Sequence, residues 1–407
     1  MHTDEHGCGF LEKLLDLSAE QAGGAEVEWV ALGELCTIQT GKLNANASDA
    51  DGKFAFFTTA REPSRINRYR WDTEALLIAG NANIGEVKHF EGKFEAYQRT
   101  YVLTSFNDEV NVKFLYYCVA ANLKKYLESH TKKAAMTYIV LSSLKSFPIP
   151  IPCPDNPEKS LAIQAEIVRI LDTFTELTTE LTTELTARKK QYNYYRDQLL
   201  TFEDGEVEWG VLDEVADVFD SLHKTPQYSD DGLSMVRVTD IKGGFINLEK
   251  TLKVSEEVFI EFTKKYLPKE NDLVMSRVGS YGNVGIVPST DTVCMGQNTV
   301  VIKSHINSKF LYHFFQSSVA QSSIEKNVGG GSQKTLSLKS IRAIPIPLLN
   351  EAEQARIVAI LDKLDTLTHS ISEGLPREIE LRQMQYEYYR DLLLNFPKPE
   401  PQTERVA

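Results

Sequence analysis

Four arginines lie close together in the first third of the chain and could neutralise phosphate groups. Arg61, Arg65, Arg68 and Arg70 fall within ten residues, and Glu62 is the one acidic side chain among them. Guanidinium groups bind phosphates and can also form paired hydrogen bonds with the edge of guanine. A solvated surface is the commoner setting for a run of charges. The cluster therefore indicates DNA contact only in combination with other features of the chain.

Two glycine-containing loops offer side chains suited to reading bases. Residues 80–85 and 277–283 each follow an apolar run with strand character, so they occupy matching positions. A plain β-turn has a similar composition, but Asn, Ser, Tyr and Arg side chains in such a loop can also reach base edges. The loop residues that we assign to DNA contact are Asn81, Asn83, Arg277, Ser280, Tyr281 and Asn283.

Further polar residues complete the predicted DNA-contacting set. Gln and Asn can pair with adenine through two hydrogen bonds, and such residues recur just before a later strand in both halves of the chain. A glycine-rich stretch at residues 329–334 has no strand–loop–helix pattern around it, so we favour a surface loop over a phosphate-binding loop there. The further candidates are Thr59, Gln98, Arg99, Lys132, Lys133, Arg237, Thr239, Lys242, Gln297, Asn298, Gln333 and Lys334.

Motif content and composition argue against an enzyme and against a membrane protein. The chain has no GxxxxGK[ST], HExxH or GxSxG motif. Its five cysteines are widely spaced, which disfavours both a disulfide framework and a zinc site. The absence of a long apolar run or a secretory signal pattern predicts a cytoplasmic protein. With a net charge of −13, any DNA contact must come from local patches or a basic partner.

A long amphipathic segment occurs twice and would position these loops. Residues 164–172 return as 354–362, and residues 191–202 return as 385–396. Apolar side chains recur every three or four residues in each copy, which predicts a helix with one narrow apolar stripe. Such a stripe needs a partner, so we expect the two helices to form an intramolecular coiled coil. We interpret the repeated tyrosines as helix packing rather than as a base-stacking platform: Tyr192, Tyr194, Tyr195, Tyr386, Tyr388 and Tyr389.

The middle of the two helices differs between the copies. Residues 175–185 of the first copy contain tandem Thr-Glu-Leu tetrads. Each tetrad adds about 6 Å of helix and about 40° beyond a whole turn, so the number of tetrads would set both length and rotation. The copies are offset by 190 residues before this region and by 194 residues after it. Gly374 and Pro376 predict a kink or a short break in the second copy.

The repeat divides the chain into globular units that alternate with helices. A chain of 407 residues with 42% hydrophobic content can hold two or three globular units. The scaffold recurs while the loops diverge, which favours two different targets read from one geometry. The predicted segments are an N-terminal helical segment at 1–24, a globular domain at 25–152, a central helix at 153–205, a second globular domain at 206–347, a C-terminal helix at 348–396 and a disordered tail at 397–407.

In these features the chain resembles the specificity subunits of type I restriction-modification systems, particularly the type IC group. The resemblance covers essentially the whole chain and is carried most specifically by residues 149–164, the tetrads, residues 191–197 and residues 207–209. It implies an α+β fold class. Two similar α/β target-recognition domains would be separated by two long conserved helices forming an antiparallel coiled coil, with a pseudo-twofold internal repeat.

The resemblance also implies a function and a set of partners. The chain would be a non-catalytic subunit that recognises a bipartite, asymmetric target in double-stranded DNA, and it would bind no cofactor itself. Two modification subunits, with S-adenosylmethionine and adenine-N6 methylation, would dock on the helices. Restriction subunits would supply cleavage with ATP and Mg²⁺. The two recognition domains would read sites about one DNA turn apart, roughly 34 Å. The alternative is a coiled-coil scaffold protein without sequence-specific DNA binding.

Overall fold

The protein's structure, a computed structural model, describes residues 26–130, 138–203, 205–241, 244, 246, 248–288, 293–329, 334–370 and 374–397. The predicted N-terminal helical segment and residues 398–407 of the predicted tail lie outside the described residues, and so do Lys132, Lys133, Lys242 and Gln333. The chain forms two compact units. Unit 1 comprises the residues up to Leu177 and those from Arg382 onward, and unit 2 comprises Thr178–Leu381.

Unit 1 contains a six-stranded sheet with apolar side chains on both faces. In spatial order its strands are β2 (Thr37–Thr40), β7 (Thr100–Thr104), β5 (Trp71–Ala79), β6 (Val87–Ala96), β3 (Phe54–Phe57) and β4 (Ser64–Ile66). The pair β3–β6 is parallel, and the other pairs are antiparallel. Leu76 and Ile78 join the larger core, whereas Leu77 of the same strand joins a smaller cluster on the opposite face. This alternation is the period expected of a strand buried on both sides.

Helices and a two-stranded ribbon complete unit 1. The ribbon pairs β1 (Val27–Ala31) with β8 (Pro148–Pro152) in antiparallel register. Besides the long helical copies, the described part of the unit has three helices: α1 (Leu32–Leu35), α2 (Val112–His130) and α3 (Leu141–Lys145). Phe114 of α2 is fully buried in the larger core. Its ring meets Phe396 edge-on at 6.2 Å, so the end of the chain packs into the unit that begins it.

Unit 2 repeats the order of the central strands but divides its sheet in two. A four-stranded sheet contains, in order, β10 (Ala216–Asp220), β16 (Thr299–Ser304), β13 (Leu273–Ser276) and β14 (Val284–Ile286). A three-stranded sheet contains β12 (Leu252–Val254), β11 (Leu233–Val236) and β15 (Val293–Met295). The ribbon returns as β9 (Glu208–Val211) paired with β17 (Pro345–Leu348). The order β10-β16-β13-β14 matches β2-β7-β5-β6 of unit 1, so the internal repeat is present in the topology.

The shorter helices of unit 2 follow the same plan. They are α5 (Leu212–Val215), α6 (Glu256–Thr263), α7 (Ser308–Gln316), α8 (Ser318–Lys326) and α9 (Leu338–Arg342), and short 3₁₀ turns occur at Ala45–Ala47 in unit 1 and Leu248–Lys250 in unit 2. Phe310, Phe314 and Phe315 of α7 are all fully buried in the core of unit 2. Helix α7 therefore has the central position in unit 2 that α2 has in unit 1.

The two long helical copies have the predicted difference. Helix α4 runs without a break over Pro157–Leu199, a length of 43 residues. The second copy is two helices, α10 (Glu351–His369) and α11 (Gly374–Leu393), which confirms the predicted break. Gly374 has a φ of +73°, and a Cβ there would lie 2.6 Å from the carbonyl oxygen of Thr366. Only glycine meets both conditions without strain, so the break is fixed by this residue.

A repeated buried glutamine attaches each long helix to its globular unit. The side chain of Gln164 is fully buried, and its Oε1 accepts a hydrogen bond from the Asn111 backbone N–H at 2.8 Å. Gln354 accepts the corresponding bond from the Asn307 N–H at 3.0 Å. Both asparagines precede the central helix of their unit, so the same buried contact holds both copies.

An ion pair is repeated about two turns further along each long helix. Lys113 contacts Asp172 at 2.6 Å in unit 1, and Lys309 contacts Asp362 at 2.5 Å in unit 2. Burial opposes ionisation of Asp362, but hydrogen bonds from His313 and Lys309 outweigh it and lower the pKa of this carboxyl. The aspartate therefore stays charged, and the helix is tied to the unit by charge as well as by packing.

The apolar stripe of the long helices is confirmed in its buried residues. Phe174 of α4 stacks on Tyr389 of α11 at 5.3 Å within unit 1, and Tyr192 of α4 meets His369 of α10 edge-on at 5.3 Å within unit 2. Successive positions of α4 thus meet partners that run backward along the chain, as in an antiparallel helix pair. The same periodicity predicts Ile360 on the stripe of the second copy, and this prediction is wrong, because Ile360 is 37% exposed and the neighbouring Leu361 is buried in its place.

The interpretation of the repeated tyrosines holds for part of the set. Tyr192 is buried, and Tyr386 packs against the core of unit 1. Tyr194, Tyr195 and Tyr388 are exposed by 59%, 42% and 65%, so helix packing does not account for them. A narrow stripe covers one face of a helix, and these three side chains fall outside it. Among the described residues, no helix combines the length and apolar character needed to cross a membrane.

Candidate nucleic-acid interface

Loop A, defined as residues 80–85, is closed by backbone hydrogen bonds. The Ala79 N–H donates to Glu86 O at 2.9 Å, and the Gly85 N–H donates to Ala79 O at 3.0 Å. Gly85 has a φ of +79°, which favours glycine at this position. Asn83 is exposed on the loop. The main chain therefore fixes the shape of the loop and leaves side chains available on its surface.

Loop B, defined as residues 277–283, has the same frame in unit 2. The Ser276 N–H donates to Asn283 O and the Gly282 N–H donates to Ser276 O, both at 2.9 Å. Gly282 has a φ of +76°, almost the value of its counterpart in loop A. Ser280 is exposed at the tip. The alignment of the two loops made from sequence is therefore confirmed by the backbone.

A second segment lies beside each loop in the same way. In unit 1 the Gly80 N–H donates to Arg99 O at 2.9 Å, and in unit 2 the Arg277 N–H donates to Asn298 O at 2.9 Å. The side chains of Gln98 and Arg99 are exposed next to loop A, and Gln297 is exposed next to loop B. The predicted pairs of segments thus come together in both units.

Thr59 also reaches loop A, through its main chain. The Asn83 Nδ2 donates to Thr59 O at 2.8 Å, and the Lys88 Nζ donates to Ala60 O at 2.6 Å. Asn81 is half-buried, and its Oδ1 is buried with no hydrogen-bond partner in the described part of the chain. The structure therefore gathers Thr59, Asn81, Asn83, Gln98 and Arg99 at one surface of unit 1.

The arginine cluster is less uniform than its spacing suggests. Arg65 donates from Nε to Gly52 O at 2.6 Å, so its guanidinium is held by the main chain. Arg68 lies 3.7 Å from the buried carboxylate of Glu95, and Arg70 covers the ring of Trp71 at 4.6 Å. Arg61 is exposed. Three of these guanidinium groups thus already have contacts within unit 1, and Arg61 presents the clearest cationic surface.

Arg277 is largely buried and bonded within the fold, whereas a residue that contacts bases is expected to be exposed. Its guanidinium donates to Asp220 Oδ1 at 2.6 Å and to Leu336 O at 3.1 Å. The side chains of this pair are 11% and 15% exposed. Arg277 thus connects the base of loop B to β10 and to the segment before α9. Its assignment as a direct DNA contact stays a prediction, and its geometry favours a role in holding loop B.

Tyr281 and Lys334 form a cluster with an acidic residue, Glu325, that no sequence motif marks. The Tyr281 hydroxyl donates to Glu325 Oε2, and Lys334 Nζ lies 2.7 Å from Glu325 Oε1. Hydrogen bonds from Lys334 and Tyr281 lower the pKa of Glu325, and those with Glu325 and Tyr281 raise the pKa of Lys334. Lys334 is therefore charged but partly neutralised by a carboxylate, which weakens it as a phosphate contact.

Arg237 and Thr239 lie on a separate turn of unit 2. The Arg237 backbone N–H and guanidinium both bind Asp240, with the N–H at 2.9 Å, and the Thr239 hydroxyl donates to the same carboxylate at 3.3 Å. The turn is thus closed on itself. Among the residues that the structure describes, no hydrogen bond joins these residues to loop B, but the Gly296 N–H donates to Val236 O at 2.8 Å, so the turn lies next to the segment that holds Gln297.

Sequence reasoning missed the residues that support the two loops. Lys88, Asp220 and Glu325 all bind loop residues or their neighbours, but each stands alone in the sequence without a motif. One weak indication pointed to Asp220: it is the last residue of β10, the strand that corresponds to β2. Within the described ranges, no group of three or more His, Cys, Asp or Glu side chains is placed to hold a metal ion.

The two loop surfaces suit binding and sequence discrimination. Amide, hydroxyl and guanidinium groups on a fixed main chain can pair with base edges, while exposed cations such as Arg61 can contact phosphates. A frame that occurs twice with different side chains offers two different reading surfaces. Polar recognition of this kind requires no reacting group in the chain itself.

Comparison with known proteins finds sequence relatives that match almost the entire chain. The sequence model described as the type I restriction modification DNA specificity domain matches residues 25–189 and 208–381. The EcoR124I/EcoR124II specificity subunit of a type I restriction enzyme from Escherichia coli is 36% identical, over 96% of this chain and 98% of that protein. A putative type I restriction enzyme specificity subunit from Haemophilus influenzae is 33% identical, over 95% and 98% of the two chains.

Solved structures share the fold. The S subunit of a type I restriction-modification system from M. genitalium aligns with a TM-score of 0.59 at 16% identity, covering 93% of this chain and 98% of that one. A chain from a study of complex assembly in the type I R-M system aligns with a TM-score of 0.57 at 15% identity, covering 91% and 98%. The repeated loop frame, the matched domains and the identity to full-length relatives lead to one conclusion: the chain belongs to the family of type I restriction-modification DNA specificity subunits.

Proposed function

We propose that this chain selects the DNA target of a type I restriction-modification complex. Unit 1 would read one part of a bipartite, asymmetric site in double-stranded DNA, and unit 2 would read the other part. The chain would contribute binding and geometry, and the chemistry would belong to its partners. The site residues given above, with loops A and B at their centre, are the proposed contacts.

The observation that carries this proposal is the twofold occurrence of one backbone frame with different side chains. Loops A and B share two internal hydrogen bonds and a glycine at positive φ. At corresponding positions loop A has Gly80 and loop B has Arg277, while the adjoining segments have Arg99 and Asn298. Because the frames match and the polar groups differ, the two surfaces would discriminate between different base pairs.

The partners would be modification and restriction subunits. Two modification subunits would carry S-adenosylmethionine and methylate adenine at N6, and restriction subunits would use ATP and Mg²⁺ for translocation and cleavage. No cofactor is proposed for this chain. Partners with basic surfaces would also compensate for the net charge of −13, which by itself disfavours binding to DNA.

A repeated aromatic surface on the long helices suits the docking of two copies of one partner. Tyr194 meets Tyr195 edge-on at 5.5 Å in unit 2, and Tyr388 meets Tyr389 edge-on at 5.3 Å in unit 1. The interplanar angle is 74° in both pairs. Exposed tyrosines commonly anchor protein interfaces, and Tyr194 and Tyr388, which are exposed at matching positions of the two copies, provide one site in each unit.

The experiment that tests the proposal is methylome sequencing. The chain would be expressed with its modification subunit in a host that has no adenine methylation of its own. We expect N6-methyladenine in one split, asymmetric motif, and no such motif when either protein is expressed alone. A complex that assembles and binds S-adenosylmethionine but methylates no defined motif would contradict the proposal and favour the scaffold function.

A further inference from the structure

Unit 1 has a pocket beside loop A, and the proposed function assigns no ligand to it. It is open to solvent and has a volume of about 210 Å³, against about 30 Å³ for one water molecule in the liquid. Tyr138, Gln98 and Arg99 are exposed at this pocket, and the ring of Tyr138 is 58% exposed. The lining residues are Thr40, Gly80, Gln98, Arg99, Tyr101, Tyr138 and Ile139.

Main-chain contacts identify the residues of unit 2 that correspond to three residues of this pocket. Thr40 pairs with Tyr101 across β2 and β7, as Asp220 pairs with Val300 across β10 and β16. The Ile139 N–H donates to Gly80 O at 2.8 Å. The same bond in unit 2 runs from the Leu336 N–H to Arg277 O at 2.9 Å. Thr40, Gly80 and Ile139 therefore correspond to Asp220, Arg277 and Leu336.

In unit 2 the corresponding space holds a side chain of the protein itself. The Arg277 guanidinium lies between Asp220 Oδ1 at 2.6 Å and Leu336 O at 3.1 Å. In unit 1 the matching carbonyl, Ile139 O, accepts a hydrogen bond from the Tyr101 hydroxyl at 2.8 Å. The Tyr101 side chain thus makes the bond that the Arg277 guanidinium makes in unit 2, and the pocket lies beside the Tyr101 ring.

Gly80 keeps the pocket open. A Cβ at this position would lie 2.5 Å from the carbonyl oxygen of Arg99, so a side chain there would require the backbone to move. Thr40 has no charge, in contrast to Asp220, and so the pocket lacks the carboxylate that would favour a cation. Its polar groups are a hydroxyl, an amide and the Arg99 guanidinium, beside an aromatic ring.

We infer that this pocket accommodates the major-groove edge of one base pair in the part of the target read by unit 1, which makes Thr40 and Tyr138 specificity-determining residues. This inference rests on the proposed function. Base edges are neutral, planar and carry both donors and acceptors, which matches a pocket with a hydroxyl, an amide and a guanidinium. The methyl of Thr40 and the ring of Tyr138 supply apolar contact of the kind that thymine methyl groups make. In the described part of unit 2, the Arg277 side chain lies at the corresponding position and is bonded to Asp220 and Leu336.

The test fills the pocket and reads the motif. Thr40→Phe places a ring in the open space, and Tyr138→Ala removes the exposed ring. Each full-length variant would be expressed with the modification subunit and its methylated motif determined. We expect about tenfold loss of preference for the wild-type base at one position of one half-site, in line with the discrimination of a single base contact. The other half-site and the spacer should not change.

The control is Thr37→Phe, which introduces the same ring at an exposed threonine of the same strand outside the pocket. This variant should retain the wild-type motif. An unchanged motif in both pocket variants, or equal losses in both half-sites, would overturn the inference while leaving the proposed function intact. A wild-type complex without any motif would refute the proposed function itself. Tyr138→Ala alters only an exposed side chain. The test therefore remains valid even if the larger side chain of Thr40→Phe disturbs the fold of β2.

Discussion

Arg277 and Arg61 have the same side chain but opposite surroundings. The Arg277 guanidinium is paired with Asp220 at 2.6 Å and is 11% exposed, whereas Arg61 is exposed. Both were predicted to contact DNA, because the spacing of polar residues along a chain does not reveal whether another part of the fold supplies a carboxylate. The partner of Arg277 is 57 residues away in sequence.

Removing these two arginines should therefore have different effects. Arg277→Ala leaves Asp220 charged and poorly solvated, which should lower the free energy of unfolding by about 3 kcal/mol. Arg61→Ala should change stability by less than about 0.5 kcal/mol and should lower the slope of log K against log salt for DNA binding by about 1. Thermal unfolding and salt titration of the assembled complex measure the two quantities. Equal stability of both variants would contradict the structural role of Arg277.

The cysteines give a second prediction for single residues. Burial raises the pKa of Cys36 and of Cys294 to about 12, and it also raises the pKa of Cys118. Only the thiolate is reactive, so these three thiols should resist a thiol reagent at pH 8 in the native protein and react after unfolding in guanidinium. The half-buried Cys153 is the internal comparison, and mass spectrometry of peptides identifies each modified site.

The sign of the pH dependence follows from the same shifts. A raised native pKa contributes stability that is fully present below the unfolded value of 9.0 and is lost as pH rises toward about 12. Native stability should therefore fall above pH 9. Rapid labelling of Cys36 and Cys294 at pH 8 under native conditions would show that they are not buried as described.

Among the elements, helix α4 has buried side chains toward both ends and exposed or half-buried apolar side chains in its middle. Ile167, Ile170 and Tyr192 are buried, whereas Leu177 is 39% exposed and Leu181 is half-buried. In the tetrads the threonine hydroxyls donate to carbonyls one turn back, as Thr182 does to Thr178 O at 2.7 Å. The helix therefore continues without a break through the tetrads, although few apolar side chains are buried there.

Deleting one tetrad from α4 should change geometry without loss of fold. The helix loses about 6 Å and rotates by about 40°, close to the rotation of one base pair in a duplex with about 10 base pairs per turn. We expect a spacer shorter by about one base pair and unchanged half-site sequences, measured by methylome sequencing of the variant complex. Replacing Thr179 by Ala at constant length is the control, and it should leave the spacer as it is. Altered half-sites with an unchanged spacer would contradict the prediction.

The elements that sequence alone predicted are those with a strong local signal. The 43 residues of α4 and the break at Gly374 follow from apolar periodicity and from glycine and proline. The division of the second sheet into a four-stranded and a three-stranded part was not predicted, because strand pairing depends on contacts far apart in sequence. For the same reason the loops could be aligned from sequence, while the Arg277–Asp220 pair and the pocket beside Gly80 could not be found.

At the scale of the whole molecule, each unit carries the same attachment of long helix to globular core. The Gln164–Asn111 and Gln354–Asn307 bonds are one device used twice, as are the Lys113–Asp172 and Lys309–Asp362 pairs. A chain that repeats its scaffold in this way also repeats any surface on it. The chain is a type I specificity subunit, and the exposed Tyr194 and Tyr388 mark the repeated surface that we assign to partner docking.

Substitution of these tyrosines should change the stoichiometry of the complex in steps. Tyr194→Ala and Tyr388→Ala should each leave one modification subunit bound, and the double variant should bind none, because an aromatic anchor typically contributes 2 kcal/mol or more, about 30-fold in affinity. Native mass spectrometry measures the composition. Tyr228→Ala is the control, since this residue is 41% exposed but lies outside the long helices. Loss of both subunits in either single variant would refute two independent docking sites.

The main-chain closure of loops A and B has a consequence for evolution. Two backbone hydrogen bonds close each frame, with glycine at Gly85 and Gly282, and in loop B the Ser276 hydroxyl also donates to Ser280 O. An exposed position such as Ser280 can therefore mutate without weakening the frame, whereas Arg277, whose side chain binds Asp220, cannot. New specificities can then arise by substitution in one loop while the other is unaltered. Such a protein can diversify quickly under selection by foreign DNA and still assemble with the same partners.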